Sequence, residues 1–189
     1  MQRRSFLSLA AAAASTAAYG QSPNAQSPNT PSPTTPSPLP ARSVTSGKDR
    51  LGETHNFGIA SMSFKVVTED TGGDLFAIEQ ATHHKGGPPR HLHLNQDEWF
   101  YVLEGEFLIE IGDQRLTLHP GDSVLAPRKV PHVWAFTGSS GGRVLITFTP
   151  AGRMEAFFLH LTKSNTMPPQ DKALFQAYGM ELTGPPLTV

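Results

Sequence analysis

Between Asn56 and Pro150 apolar and polar positions alternate in short runs, each closed by glycine, aspartate or proline. Phe57 to Val67 alternates and stops at Thr71-Gly72-Gly73, and Asp74 to Ala81 follows. Glu98 to Leu103 is a further run. Phe107, Ile109 and Ile111 alternate with Leu108 and Glu110, Gly112-Asp113 makes a hairpin turn, and Arg115 to Leu118 returns. Gly121-Asp122 turns again, and His132 to Phe136 and Arg143 to Thr149 complete the set. A period of two is the signature of a strand with one buried face. Many short strands without intervening helices predict an all-β barrel or sandwich.

Beyond Pro150 the period changes. Met154 to Leu161, entered after Gly152, reads as a helix; Asp171 to Tyr178, ended by Gly179, reads as a second, with Pro168-Pro169 between them. Phe157, Phe158 and Leu161 form an apolar stripe, expected to pack on the barrel exterior or on the partner subunit of a homodimer. The stripe is read as core packing, not as a lid.

The first residues follow neither period. Gln2-Arg3-Arg4-Ser5-Phe6-Leu7 resembles the twin-arginine export motif, an alanine-rich apolar stretch runs to Ala18, and Ala18-Tyr19-Gly20 offers small residues for cleavage. That stretch is too short and too weakly apolar for a stable membrane span. The expected destination is the periplasm or the exterior, with the Sec route as the other path. Residues 21–46 carry Ser-Pro at Ser22-Pro23, Ser27-Pro28, Ser32-Pro33 and Ser37-Pro38. Proline fixes φ and lacks an amide proton, so this segment favours extended chain and builds no core. The expected organisation is a signal peptide at 1–20, a linker at 21–46, a barrel at 47–150 and a helical extension at 151–189.

Composition narrows the chemistry. None of the 189 residues is cysteine, which removes disulfides and thiolate metal sites. The net charge of −1, with no basic block after the leader, argues against a nucleic-acid partner.

The chemistry sits in His91-Leu92-His93, Glu98 and His132. Residues i and i+2 of a strand share a face, so His91 and His93 aim at one point. Leu94 to Asp97 gives room to turn, Glu98 opens the next strand, and His132 comes from a third. The reading is a mononuclear site of three imidazoles and one carboxylate, taking one divalent transition metal: iron, manganese, nickel, cobalt, copper or zinc. Glu98 doubles as the candidate catalytic base. Parity then places Phe100 and Val102 on the side of Glu98, and Trp134 and Phe136 on the side of His132. These four are the expected lining of a substrate pocket suited to an apolar or aromatic ligand. His83, His84 and His119 read as ordinary surface or core residues, and Lys85, Arg90, Arg128 and Lys129 as solvated loop charges, with steering of an anion as the other reading.

Gly86-Gly87-Pro88-Pro89-Arg90-His91-Leu92-His93 with Glu98 and Gly105, and Pro120-Gly121-Asp122 with Pro127 and Pro131-His132-Val133-Trp134, resemble the two motifs of the cupin superfamily, single-domain type. Three positions depart from the pattern: the leading glycine lies closer to the first histidine, Lys129 replaces a glycine, and Phe136 replaces an asparagine. The resemblance implies a double-stranded β-helix, or jelly-roll, barrel. It also implies His91, His93, Glu98 and His132 as ligands of an internal metal. The stretch from Pro88 to Gly105 is most similar to the flavonol (quercetin) dioxygenase-like branch. That branch implies a metal-dependent dioxygenase, with an aromatic or enol-type substrate and dioxygen as partners. A non-oxidative isomerase, lyase or decarboxylase, or a small-molecule-binding cupin without turnover, uses the same site.

Overall fold

A computed structural model describes residues 40–53 and 55–189. The leader at 1–20 and the linker as far as residue 39 lie outside the described residues. Eleven strands and two helices follow in chain order. β1 (His55–Phe57) and β2 (Ala60–Val66) form a hairpin in which Phe57 faces Ala60. The single strand expected over Phe57 to Val67 is therefore broken at Gly58-Ile59. Gly58 takes φ +59, a left-handed conformation that glycine adopts freely, and this turns the chain. β3 is Phe76–Thr82, β4 His91–His93, β5 Asp97–Glu104, β6 Phe107–Ile111, β7 Gln114–Leu118, β8 Ser123–Ala126, β9 His132–Phe136 and β10 Gly142–Thr149. α1 (Met154–Ser164), α2 (Lys172–Ala177) and β11 (Met180–Leu182) close the order.

The strands form two antiparallel sheets, ordered β1-β2-β3-β10-β5-β8 and β11-β4-β9-β6-β7. Alternation fixes which face turns inward. In β5 the buried positions are Glu98, Phe100 and Val102; in β10 they are Gly142, Val144, Ile146 and Phe148. Both sheets feed one core, in which Phe64, Phe76, Phe100, Phe107, Phe136 and Phe148 are essentially inaccessible to water. Each fully buried side chain of this size contributes about 1.5–3 kcal/mol. The architecture is all-β, as the strand pattern predicts, and is the jelly-roll barrel that the family resemblance implies.

The two helices lie where their period places them. α1 ends at Asn165, whose φ of +48 is one that asparagine tolerates better than most residues. α2 is capped by Asp171, whose carboxylate accepts from the amides of Ala173 and Leu174. Met154, Phe157, Phe158 and Leu161 of α1 and Phe175 of α2 all join the barrel core. β11 has no counterpart in the sequence reading. It pairs with β4, placing Met180 opposite His93 and Leu182 opposite His91. Among the described residues no helix is long and apolar enough to cross a membrane.

Candidate metal centre

His91, His93 and His132 belong to one sheet and Glu98 to the other, so the cluster bridges the barrel from wall to wall. His91 pairs with His132 across β4 and β9. All four side chains are buried, and one donor atom from each lies within 4.8 Å of the other three. His93 Nε2 is 3.0 Å and His132 Nε2 2.9 Å from the same oxygen, Glu98 Oε2.

The outer nitrogens explain the aim of the rings. His91 Nδ1 donates to the Pro89 carbonyl at 2.8 Å, and His132 Nδ1 to the Val130 carbonyl at 3.0 Å. A carbonyl accepts only, so each Nδ1 carries a proton and each ring turns its Nε2 inward. His93 Nδ1 is buried without a partner among the described residues. Burial, reinforced by the neighbouring His132 and His93, drives the His91 pKa down to about 3, so this ring is neutral at physiological pH. Burial by itself raises the pKa of Glu98. The hydrogen bonds and charges of His132 and His93 outweigh it and hold the carboxyl well below the ordinary range, as an anion.

This donor set fits a metal ion. His132 Nε2 stands 2.9 Å from a carboxylate oxygen, and both atoms carry a lone pair when the ring is neutral. Two electron pairs at that distance repel unless a proton or a cation lies between them. Two donors each about 2.1 Å from one ion, at right angles, stand about 3.0 Å apart, which is the spacing found here. Nitrogen and oxygen donors without sulfur suit the divalent first-row metals as a group.

The cluster opens on a cavity of about 30 Å³. Its walls are His91, His93, Glu98, Trp134, Phe57, Gln80, Pro88, Ile146 and Phe148 from the barrel. Met154, Phe157, Phe158, Met167, Pro168 and Phe175 complete them from the helical segment. Of the four residues expected from parity, Trp134 lines the cavity, whereas Phe100, Val102 and Phe136 do not. They point inward as the alternation requires but occupy other layers of the barrel. Phe100 pairs with Ile146 and Val124 in neighbouring strands, and its ring packs 6.5 Å from that of Trp134. Phe136 packs on Phe107 and against the glycine backbone at Gly138 and Gly142.

The aromatic surface comes instead from the helices, whose apolar stripe covers the open end of the cavity. Phe175 lies edge-on to His91 at 5.5 Å and Phe157 packs on Phe175 at 5.8 Å. The segment joining α1 to α2 is held over Gly58 by a bond from the Gly58 amide to the Asn165 carbonyl, 3.2 Å. Gln80 is the one hydrogen-bonding side chain of the wall that the strand pattern did not single out.

The loop charges are accounted for elsewhere. Arg90 pairs with Glu110, and Arg128 forks onto Asp97 with 2.7 and 3.0 Å bonds. His83, His84, Lys85 and His119 are exposed. Lys129, in the position where the motif has glycine, takes φ +66, and its amide donates to the His93 carbonyl at 2.7 Å. The backbone there keeps a shape suited to glycine even though the side chain differs.

A jelly-roll barrel with an internal cluster of three histidines and a glutamate is a β-barrel that encloses a candidate metal site. Residues 77–148 match the family model of the cupin domain, and the barrel is a cupin domain. An oxidoreductase of Arthrobotrys oligospora is 30% identical over 74 residues, which are 38% of this chain and 29% of that protein. The chain thus spans less than a third of that relative's length. Among solved structures, KdgF from Halomonas sp. has a TM-score of 0.46 and 23% identity, covering 52% of this chain and 86% of its own. An RmlC-like cupin from Shewanella frigidimarina has a TM-score of 0.44 and 26% identity, covering 52% and 84%. The polyketide cyclase RemF from Streptomyces resistomycificus has a TM-score of 0.44 and 23% identity, covering 51% and 72%.

Proposed function

We propose that this chain is a metal-dependent dioxygenase of a small enol-type molecule, akin to the flavonol dioxygenase-like branch of cupins. The observation that carries the reading is the buried cluster of three imidazoles and one carboxylate at the end of a mainly apolar cavity. The oxidoreductase similarity over 74 residues adds support. His91, His93, Glu98 and His132 would hold the ion. When bound, it supplies a Lewis-acidic position for a substrate oxygen and, with a redox-active metal, electrons for dioxygen.

The chain's own groups then narrow the substrate. Glu98 Oε2 faces two imidazoles, which leaves Oε1 as the atom to take a proton. A carboxylate is a weak base, so the hydroxyl it deprotonates must be acidic: an enol, not an aliphatic alcohol. The aromatic walls exclude water from the resulting anion. The free space of about 30 Å³ holds on the order of two water molecules, which favours a short substrate over a fused aromatic one.

Metal analysis of the purified chain, coupled to an oxygen electrode with a panel of small enols and phenolics, tests the reading. Oxygen uptake that needs both metal and Glu98 is the expected result. Turnover without oxygen uptake would assign Lewis-acid isomerase, lyase or decarboxylase chemistry, and tight retention of an unaltered ligand would assign a binding role.

A further inference from the structure

Gln80 is 1% exposed, on the inner face of β3, in the wall of the cavity. A carboxamide offers two donors and two acceptor positions, and burying it unbonded is costly. Among the described residues its side chain makes one hydrogen bond, from Nε2 to Thr82 Oγ1 at 3.2 Å. Most of its capacity is unspent. The other polar groups of the wall are His91, His93 and Glu98, which belong to the metal cluster, and the indole N–H of Trp134, which can only donate. Phe76 and Ile78, the preceding inward positions of β3, are apolar and completely buried. A glutamine in that row serves packing no better than leucine or methionine does.

Charge limits what enters. Among the described residues no lysine or arginine lines the cavity. Three neutral imidazoles, one carboxylate and a divalent ion leave a single positive charge, which one negative charge on a ligand balances. A second would lie unpaired against aromatic carbon, at a cost of several kcal/mol.

We propose that Gln80 is the second anchor of the ligand. The ligand would be a short, singly anionic oxygen compound that meets the metal through its anionic oxygen and Gln80 through a hydroxyl or carbonyl a few atoms away. The inference rests on the metal-site reading above and deepens it. Gln80 then sets orientation and selects against both purely apolar anions and dianions.

The test uses the full chain loaded with cobalt(II), whose visible absorption reports binding without turnover. The probes are propanoate, 3-hydroxypropanoate and malonate. In the native chain the hydroxyl should tighten binding about tenfold over propanoate, as a well-placed buried hydrogen bond does, and malonate should bind more weakly than 3-hydroxypropanoate. Gln80→Met, close in volume, should bring the ratio of the two monoanions to about one while leaving propanoate affinity within about twofold. Gln80→Asn, which keeps the amide but draws it back, should lose the preference too, and stands in if the methionine variant does not fold. A tenfold preference surviving in either folded variant overturns the role of Gln80. Malonate bound as tightly as 3-hydroxypropanoate overturns the single-charge limit. Cobalt that is not retained overturns the metal reading itself, and retained cobalt whose spectrum none of the probes shifts overturns the proposed ligand.

Discussion

Met180 stands directly opposite His93 in the ladder between β11 and β4, and it is fully buried. The strand bearing two of the candidate ligands is therefore fixed by a segment that lies far from it in sequence. Met180→Ala should cost about 2–5 kcal/mol and should also weaken metal retention, because β4 loses its packing on that edge. Denaturant unfolding with and without added metal measures both. A variant that loses stability yet holds metal as the parent does would show that β4 is positioned by β9 alone.

Removing a ligand should remove the ion. His91→Ala, His93→Ala and His132→Ala are each expected to lose most bound metal by elemental analysis. Glu98→Gln should retain more than any of the three, since a carboxamide oxygen can still coordinate, while losing the proton acceptor. The parent should gain about 2.7 kcal/mol of stability at a metal concentration 100 times Kd. The histidine variants should gain almost none.

Phe175 joins α2 to the cluster through its contact with His91. Phe175→Ala should destabilise the fold by about 3–5 kcal/mol and enlarge the cavity. Added benzoate should then restore part of the lost melting temperature, which it should not do for the parent. No recovery would mean that the helix collapses into the gap.

Asp97 precedes Glu98, and Arg128 lies in the loop leading to His132, so their ion pair ties the two approaches to the site together. The Arg128 side chain and backbone bonds hold the Asp97 pKa down at about 2. A depressed carboxyl stabilises the fold above its unfolded pKa of about 4. That contribution is lost as the pH falls through about 2. Arg128 is 44% exposed, so screening limits the effect. Asp97→Asn should cost at most about 1 kcal/mol at pH 7 and nothing near pH 2. A constant difference across that range would mean that the backbone bond to Arg128, not the charge, is what matters.

The export proposal is tested in cells. Arg3→Lys with Arg4→Lys should strand the chain in the cytoplasm if the twin-arginine route is used. Unchanged export would assign the Sec route.

The barrel was legible because the alternation of Glu98, Phe100 and Val102, or of Phe107, Ile109 and Ile111, is a direct record of two-faced strands. The cluster was legible because His91 and His93 share parity and the turn chemistry places Glu98 and His132 on separate strands. The pocket was less so. Parity tells which face a residue takes but not its depth, so Phe100, Val102 and Phe136 were right in direction and wrong in layer. Gln80 escaped notice because, although it shares parity with Phe76 and Ile78, a polar side chain does not mark a buried face. β11 is three residues long and carries no pattern of its own. It exists because β4 offers a free edge.

That pairing also sets a schedule. β4 has three residues, and its partners are His132 on one side and the whole of β11 on the other. Everything from Leu94 to Gly179 must leave the ribosome before Met180 can reach His93. Contacts so distant in sequence form slowly, since a long loop must close before any reward is gained. The centre is thus finished late in folding, and a growing chain that already displays both histidines of β4 still lacks the wall that holds them in place.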